Sequence, residues 1–156
     1  MIKNNVTRLL DQKKVNYQVF ELPPEKLGAE ETAALLGVPL AVVFKTIVVK
    51  REGRGKAILA VVPGTGEVDL KALAKAVGEK KVNLATQGEA EALTRLQAGG
   101  ISPLALINRG FQVVVDDTCL AHEAVHISGG QRGLNIRLPV KDLLQLTGAH
   151  TAPISH

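Results

Sequence analysis

Ala41-Val42-Val43-Phe44-Lys45-Thr46-Ile47-Val48-Val49-Lys50 is followed, beyond Arg51-Glu52-Gly53-Arg54-Gly55, by Ala57-Ile58-Leu59-Ala60-Val61-Val62. Both runs are rich in valine and isoleucine, which pack well on a pleated surface, and a charged, glycine-bearing segment separates them. They predict two antiparallel strands joined by a longer loop. The sheet so begun is the frame on which the rest of the chain is placed.

Lys45 is the anomaly in the first run. In a strand it shares a face with Ile47 and Val49, because side chains alternate with period two. An ammonium among apolar neighbours must snorkel, pair or meet an anion. The plain reading is an edge lysine reaching solvent. The functional one is a lysine that binds a phosphate or a carbonyl.

Working outward, Val6, Leu9 and Leu10 form a helical stripe behind the capping candidates Asn4 and Asn5. Residues 15–20 read as a strand closed by Pro23-Pro24, and 30–36 as a helix stopped by Gly37. Asp69 caps a helix with apolar positions at Leu70, Leu73, Ala74 and Val77, ended by Gly78. A further helix is expected over 89–96, strands over 111–115, 125–128 and 134–138, and a last helix over 140–146. No regular strand–helix–strand rhythm runs through these segments. The expected class is a mixed, largely antiparallel, barrel-like α+β sheet flanked by short helices. Residues 1–148 are taken as one domain and 149–156 as a flexible tail.

Composition narrows the chemistry. The 156 residues suit a single core, with 46% apolar residues but only 3% aromatic ones and no tryptophan. No apolar run is long enough to cross a bilayer, and Met1 to Asn5 does not read as a signal peptide, so a cytoplasmic protein is expected. The single cysteine, Cys119, can form neither an internal disulfide nor a thiolate cluster. A net charge of +4 suits a polyanionic partner and equally a basic solvated surface.

Two glycine-rich turns are further candidates. Gly99-Gly100-Ile101-Ser102-Pro103 could present free amides to an oxyanion or a phosphate, or be an ordinary turn. Ser102 lacks the glycines of a nucleophile elbow. Ser128-Gly129-Gly130-Gln131-Arg132-Gly133 carries a cation into the strand Leu134-Asn135-Ile136-Arg137-Leu138, whose leucines and isoleucine should face the core while Asn135 and Arg137 face away. Neither a dinucleotide fingerprint nor a P-loop is present. His122-Glu123-Ala124-Val125-His126 matches the zinc-peptidase pattern, which requires a helix. Here the second half reads as a strand, where residues four apart lie roughly 13 Å from each other and cannot share one ion.

Four segments in order, Val43 to Val49, Asp69 to Gly78, Gly99 to Leu104 and Ser128 to Leu134, together resemble the YbaK/EbsC family, related to the editing domain of bacterial prolyl-tRNA synthetases. The resemblance covers Asn5 to about Thr147. It implies a trans-acting aminoacyl-tRNA deacylase, with Cys-tRNA(Pro) the first substrate and alanine or another small amino acid the alternative; a non-catalytic module binding tRNA or a synthetase stays open. It implies that Lys45, Gly99, Gly100 and Ser102 form the reactive centre. Phe20, Thr46, Ile101, Pro103, Ser128, Gly129, Gly130, Arg132 and Asn135 would bind the substrate. No metal, cofactor or covalent enzyme intermediate is implied. In cysteine-specific members the substrate's own thiol is thought to attack its ester. The implied partners are the tRNA acceptor end and prolyl-tRNA synthetase. The chain departs from the close deacylases at Ala105, where they tend to have glycine, at Arg95-Leu96, at Asn135 in place of an acid, and at Glu21-Leu22-Pro23-Pro24.

Overall fold

The computed structural model describes residues 2–156. Asn4 caps α1 (Asn5–Gln12): its side chain accepts from the Thr7 amide at 3.0 Å, and Thr7 Oγ1 accepts from the Asn4 amide at 2.9 Å. β1 (Gln18–Glu21) and α2 (Ala29–Leu36) follow, the latter stopped by Gly37 in the left-handed conformation. β2 (Phe44–Arg51) and β3 (Ile58–Pro63) form the expected antiparallel hairpin, with Lys45 opposite Val62 and Ile47 opposite Ala60. Asp69 caps α3 (Leu70–Val77) by accepting from the Ala72 amide at 3.1 Å.

Next come β4 (Val82–Leu84), α4 (Gln87–Thr94), β5 (Gln112–Asp116), β6 (Ala124–Ser128), β7 (Leu134–Pro139), α5 (Val140–Thr147) and β8 (His150–Ala152). The strands make a five-stranded sheet in the order β4-β2-β3-β5-β8 and a three-stranded antiparallel sheet in the order β1-β7-β6. In the larger sheet β2 pairs antiparallel with β3 and β4, whereas β3–β5 and β5–β8 are parallel. A bridge between Val43 and His126 ties the two sheets. The expected α+β class is found. The sheets touch there without closing a barrel.

All of β3 is buried, which explains its unbroken apolar run. Leu59 and Val61 face a core shared with Leu10, Phe44, Ile127, Ile136 and Leu143. Ile58, Ala60 and Val62 face a second cluster with Leu73 and Ile154. Period-two alternation thus divides one strand between two cores.

The tail expected at 149–156 is instead packed into the sheet. β8 lies beside β5, and Ile154 is fully buried. The Ile154 amide donates to buried Asp116 Oδ1 at 2.9 Å, and its carbonyl accepts from the Asp69 amide at 2.7 Å. An apolar anchor two residues past a three-residue strand leaves little local signal; its burial depends on partners far away in the chain. β4, too short to show a periodicity, was likewise not anticipated.

Candidate active site

The start of β2, the segment before α2 and the two glycine turns surround a cavity of about 260 Å³. Of the residues singled out in the sequence, Lys45, Thr46, Gly99, Ile101, Ser128 and Asn135 line it. Lys45 sits at the mouth of the hairpin, and its Nζ lies 3.1 Å from Glu67 Oε1. Its side chain is 26% exposed and that of Glu67 77%, so this ion pair is on the wet side and easily exchanged for another anion. Lys45 is the one cation lining the cavity among the described residues.

A second part of the lining is the glycine turn at residues 98–101. Gly99 has φ +89°, where a side chain would be strained. At Gly100 a Cβ would come within 2.8 Å of Gln131 Cα, so the absent side chain is what lets the two glycine turns cross. Arg132 secures that crossing, its Nε donating to the Ala98 carbonyl at 2.7 Å. The amide of Gly100 donates to Gln97 at 2.8 Å, whereas those of Gly99 and Ile101 have no acceptor among the described residues. Two residues of the lining thus carry N–H donors without an acceptor among the described residues, and an oxyanion requires such donors.

Other candidates take supporting positions. Ser102 is buried, and its Oγ accepts from the Leu104 amide at 3.2 Å, capping the short 3-10 turn Pro103–Leu106. Pro103 is buried at the first position of that turn, and Ala105 lies within it and has no positive φ. The alanine that departs from the close deacylases is thus unstrained. Gly129 has no room for a side chain, because Leu134 Cγ would lie 2.6 Å from its Cβ. Gly130 faces a second cavity on the far side of the turn.

Asn135 points away from Leu134 and Ile136, as expected for β7, and on that second face it is buried. On that face it meets His126 of β6, whose Nδ1 is 2.8 Å from Asn135 Oδ1. An amide oxygen can only accept, so Nδ1 carries the proton. The bond leaves the Asn135 amide nitrogen as the end free to serve the cavity. Phe20 of β1 stacks at a tilt on the His126 ring, with centroids 5.4 Å apart. Burial holds the His126 pKa below its usual value, outweighing the opposing effect of the Asn135 bond. His126 itself went unrecognised as a site residue because its sequence signal belonged to the zinc-peptidase pattern; its half of that pattern is strand, as read. The wall formed by Leu22, Glu25, Leu27 and Thr32 was also missed, since no local motif marks it.

The hydroxyls lining the cavity, on Thr32, Thr46 and Ser128, have no His, Asp or Glu side chain hydrogen-bonded to them among the described residues. Cys119 is buried elsewhere in the core, where desolvation first and then Asp116 and Asp117 push its thiol up to about 11. The lining thus combines one cation, Lys45, one carboxylate, Glu25, and the glycine-turn residues Gly99 and Ile101 around a small volume.

Residues 23–146 match the family model described as the aminoacyl-tRNA editing domain, and the chain belongs to that family. It is 36% identical over 155 residues to an Enterococcus faecalis protein, EbsC, provisionally named a Cys-tRNA(Pro)/Cys-tRNA(Cys) deacylase, covering 98% of this chain and 93% of that one. The prolyl-tRNA editing protein ProX of Acetoanaerobium sticklandii is 24% identical over 95% of this chain and 92% of its own. A crystal structure described as a provisional trans-editing enzyme for prolyl-tRNA synthetase superposes with a TM-score of 0.82 at 27% identity, covering 100% of this chain and 99% of that one. No helix among the described residues is long and apolar enough to cross a membrane.

Proposed function

We propose that this chain hydrolyses the ester between a small amino acid and the 3′ adenosine of a mischarged tRNA, with Cys-tRNA(Pro) the first substrate to test. The observation that carries this reading is that Lys45 lines one cavity together with Gly99 and Ile101, whose amides have no acceptor among the described residues. Lys45 would exchange Glu67 for a phosphate of the terminal nucleotide. The two amides would then stand where the ester oxygen becomes an oxyanion, and one such donor contributes roughly 3–4 kcal/mol. The Asn135 amide nitrogen would hold the sugar or carbonyl edge. Thr46, Ser128, Leu22 and Leu27 would enclose the aminoacyl group, and the modest volume favours a small one.

With no side-chain base hydrogen-bonded to the cavity's hydroxyls among the described residues, the attacking group would come from the substrate or from water. For a cysteinyl ester, the thiol attacks its own carbonyl carbon. The carbonyl then re-forms as the bond to the ribose oxygen breaks, the ribose oxygen takes up the proton lost by the thiol, and the four-membered thiolactone so released is opened by water to free cysteine. The protein's part is orientation, which can contribute up to about 7–11 kcal/mol in well-arranged cases. An alanyl ester would require water instead. Prolyl-tRNA synthetase is the natural candidate for delivering the acceptor end; deacylation of free tRNA at an undiminished rate, with no synthetase retained on the immobilised protein, would exclude that partnership.

The test is the deacylation rate of Cys-tRNA(Pro) by wild type and Lys45→Ala, with Ala-tRNA(Pro) alongside. Lys45-dependent loss of cysteine is expected. Release of alanine alone would change the substrate and keep the reaction. Retained tRNA binding without release of either amino acid would replace the enzyme with a binding module.

A further inference from the structure

Across the turn at residues 128–133 from the first cavity lies a second of about 250 Å³, lined in part by Asn5, Arg95, Arg109, Gly130 and Gln131. We infer that this cavity is an anion subsite for a backbone phosphodiester of the RNA whose aminoacylated end enters the first cavity. The inference rests on the tRNA reading above and adds to it a place where the strand beyond the terminal nucleotide is held.

The charge balance is the first argument. Neither Arg95 nor Arg109 has a carboxylate within ion-pair distance among the described residues. The acids that could neutralise them are engaged. Glu91, one helical turn before Arg95, turns its carboxylate to the Ala98 amide at 2.8 Å. Asp11 on α1 is paired with Lys3 at 3.0 Å and accepts from Tyr17 at 2.7 Å. The sequence shows the same bias: no Asp or Glu occurs between Glu91 and Asp116, or between Glu123 and Asp142. Those two stretches carry Arg95, Arg109, Arg132, Arg137 and Lys141, and they supply the glycine turns of both cavities. Unopposed guanidiniums around a concavity favour a multiply charged anion, and their planar forks suit phosphate oxygens.

Geometry is the second argument. Ser128, Gly133 and Asn135 line the first cavity, and Gly130 and Gln131 the second, so a single turn is the partition between them. Asn4 Nδ2 braces that partition, donating to the Gly129 carbonyl at 2.9 Å and to Gln131 Oε1 at 3.1 Å. With its oxygen so occupied, Gln131 has its amide nitrogen left to donate. Arg95 itself has φ +61° at the end of α4, and Asn108 beside Arg109 has φ +63°. A long charged side chain at a position where glycine would be unstrained points to a use for the charge.

The experiment compares wild type with Arg95→Gln, Arg109→Gln and the double variant on aminoacyl-tRNA and on the aminoacylated adenosine alone, with thermal melts as the folding control. The double variant is expected to raise KM for the tRNA about tenfold with kcat within about twofold. It should leave the adenosine ester unaffected and reduce the slope of log KM against log salt by about 1–2. Arg→Lys at both positions should restore most of the slope. Filter binding of uncharged tRNA to wild type and double variant reads the same subsite without catalysis, so a failure of the hydrolase reading would leave this measurement intact. Equal tRNA affinity and equal salt slope in wild type and double variant would overturn the inference. So would equal losses on tRNA and on the adenosine ester, because the arginines would then act through the first cavity.

Discussion

The two walls of the first cavity are built differently. The strand wall, at the start of β2, is held by its antiparallel ladder with β3 and offers side chains, Lys45 and Thr46. The loop wall has no such ladder and offers backbone, with its shape depending on glycines that let residues 99–103 cross 128–133. The lesson is a division of labour. Chemistry on the strand wall can be removed without disturbing the fold, whereas on the loop wall a single methyl group disturbs both.

The largest effect expected is from Lys45→Ala. On the proposed reaction kcat/KM should fall by about 100-fold or more, which corresponds to roughly 3 kcal/mol of transition-state stabilisation. The melting temperature should hold, since the ion pair with exposed Glu67 contributes about 0–1 kcal/mol. A variant that melts much earlier would erase the contrast between the walls.

Gly100→Ala makes the reverse case. The added carbon meets backbone, 2.8 Å from Gln131 Cα and 2.9 Å from the Arg132 nitrogen, and backbone cannot rotate away. Overpacking of this kind costs about 1–3 kcal/mol, or roughly 2–12 °C in melting temperature for a chain of this size. Thermal melts of wild type and variant decide it. An unchanged melt would mean that the turns separate freely.

Between the walls stands the His126–Asn135 pair. His126→Phe keeps the ring that packs on Phe20 but removes the donor to Asn135 Oδ1, and deacylation should slow about tenfold as the amide loses its orientation. The same variant tests a pH effect. Because the folded pKa of His126 is lowered, the unfolded chain takes up the proton first. Its neutral form therefore favours folding above the usual value of 6.5, and stability should decline as pH falls from about 7 toward 5. Urea unfolding of His126→Phe across that range should show a shallower decline.

The smallest effect belongs to Glu67→Gln. Releasing Lys45 from an exposed partner should change stability by less than about 0.5 kcal/mol and the deacylation rate by less than about threefold. A larger rate change in urea-stable protein would move Glu67 into the site proper.

Much of this molecule was legible in its sequence because the relevant signals are local. β-branched runs, the caps at Asn4 and Asp69 and the stops at Gly37 and Gly78 act within a few residues, so the hairpin and helices could be placed before any packing was known. Lys45 stood out for the same reason, as a charge inside an apolar run. The tertiary structure decided the rest. Alternation put Asn135 on the face opposite Leu134 and Ile136, but only the approach of β1 and β6 buried it against Phe20 and His126. The C-terminal residues carry no strong strand pattern, and β5, Asp116 and the second core give them their place. Contacts between residues far apart in the chain also set the crossing of the two glycine turns and the two cavities they divide. Short-range preferences say which elements form; which side chains meet depends on how the assembled elements fill space together.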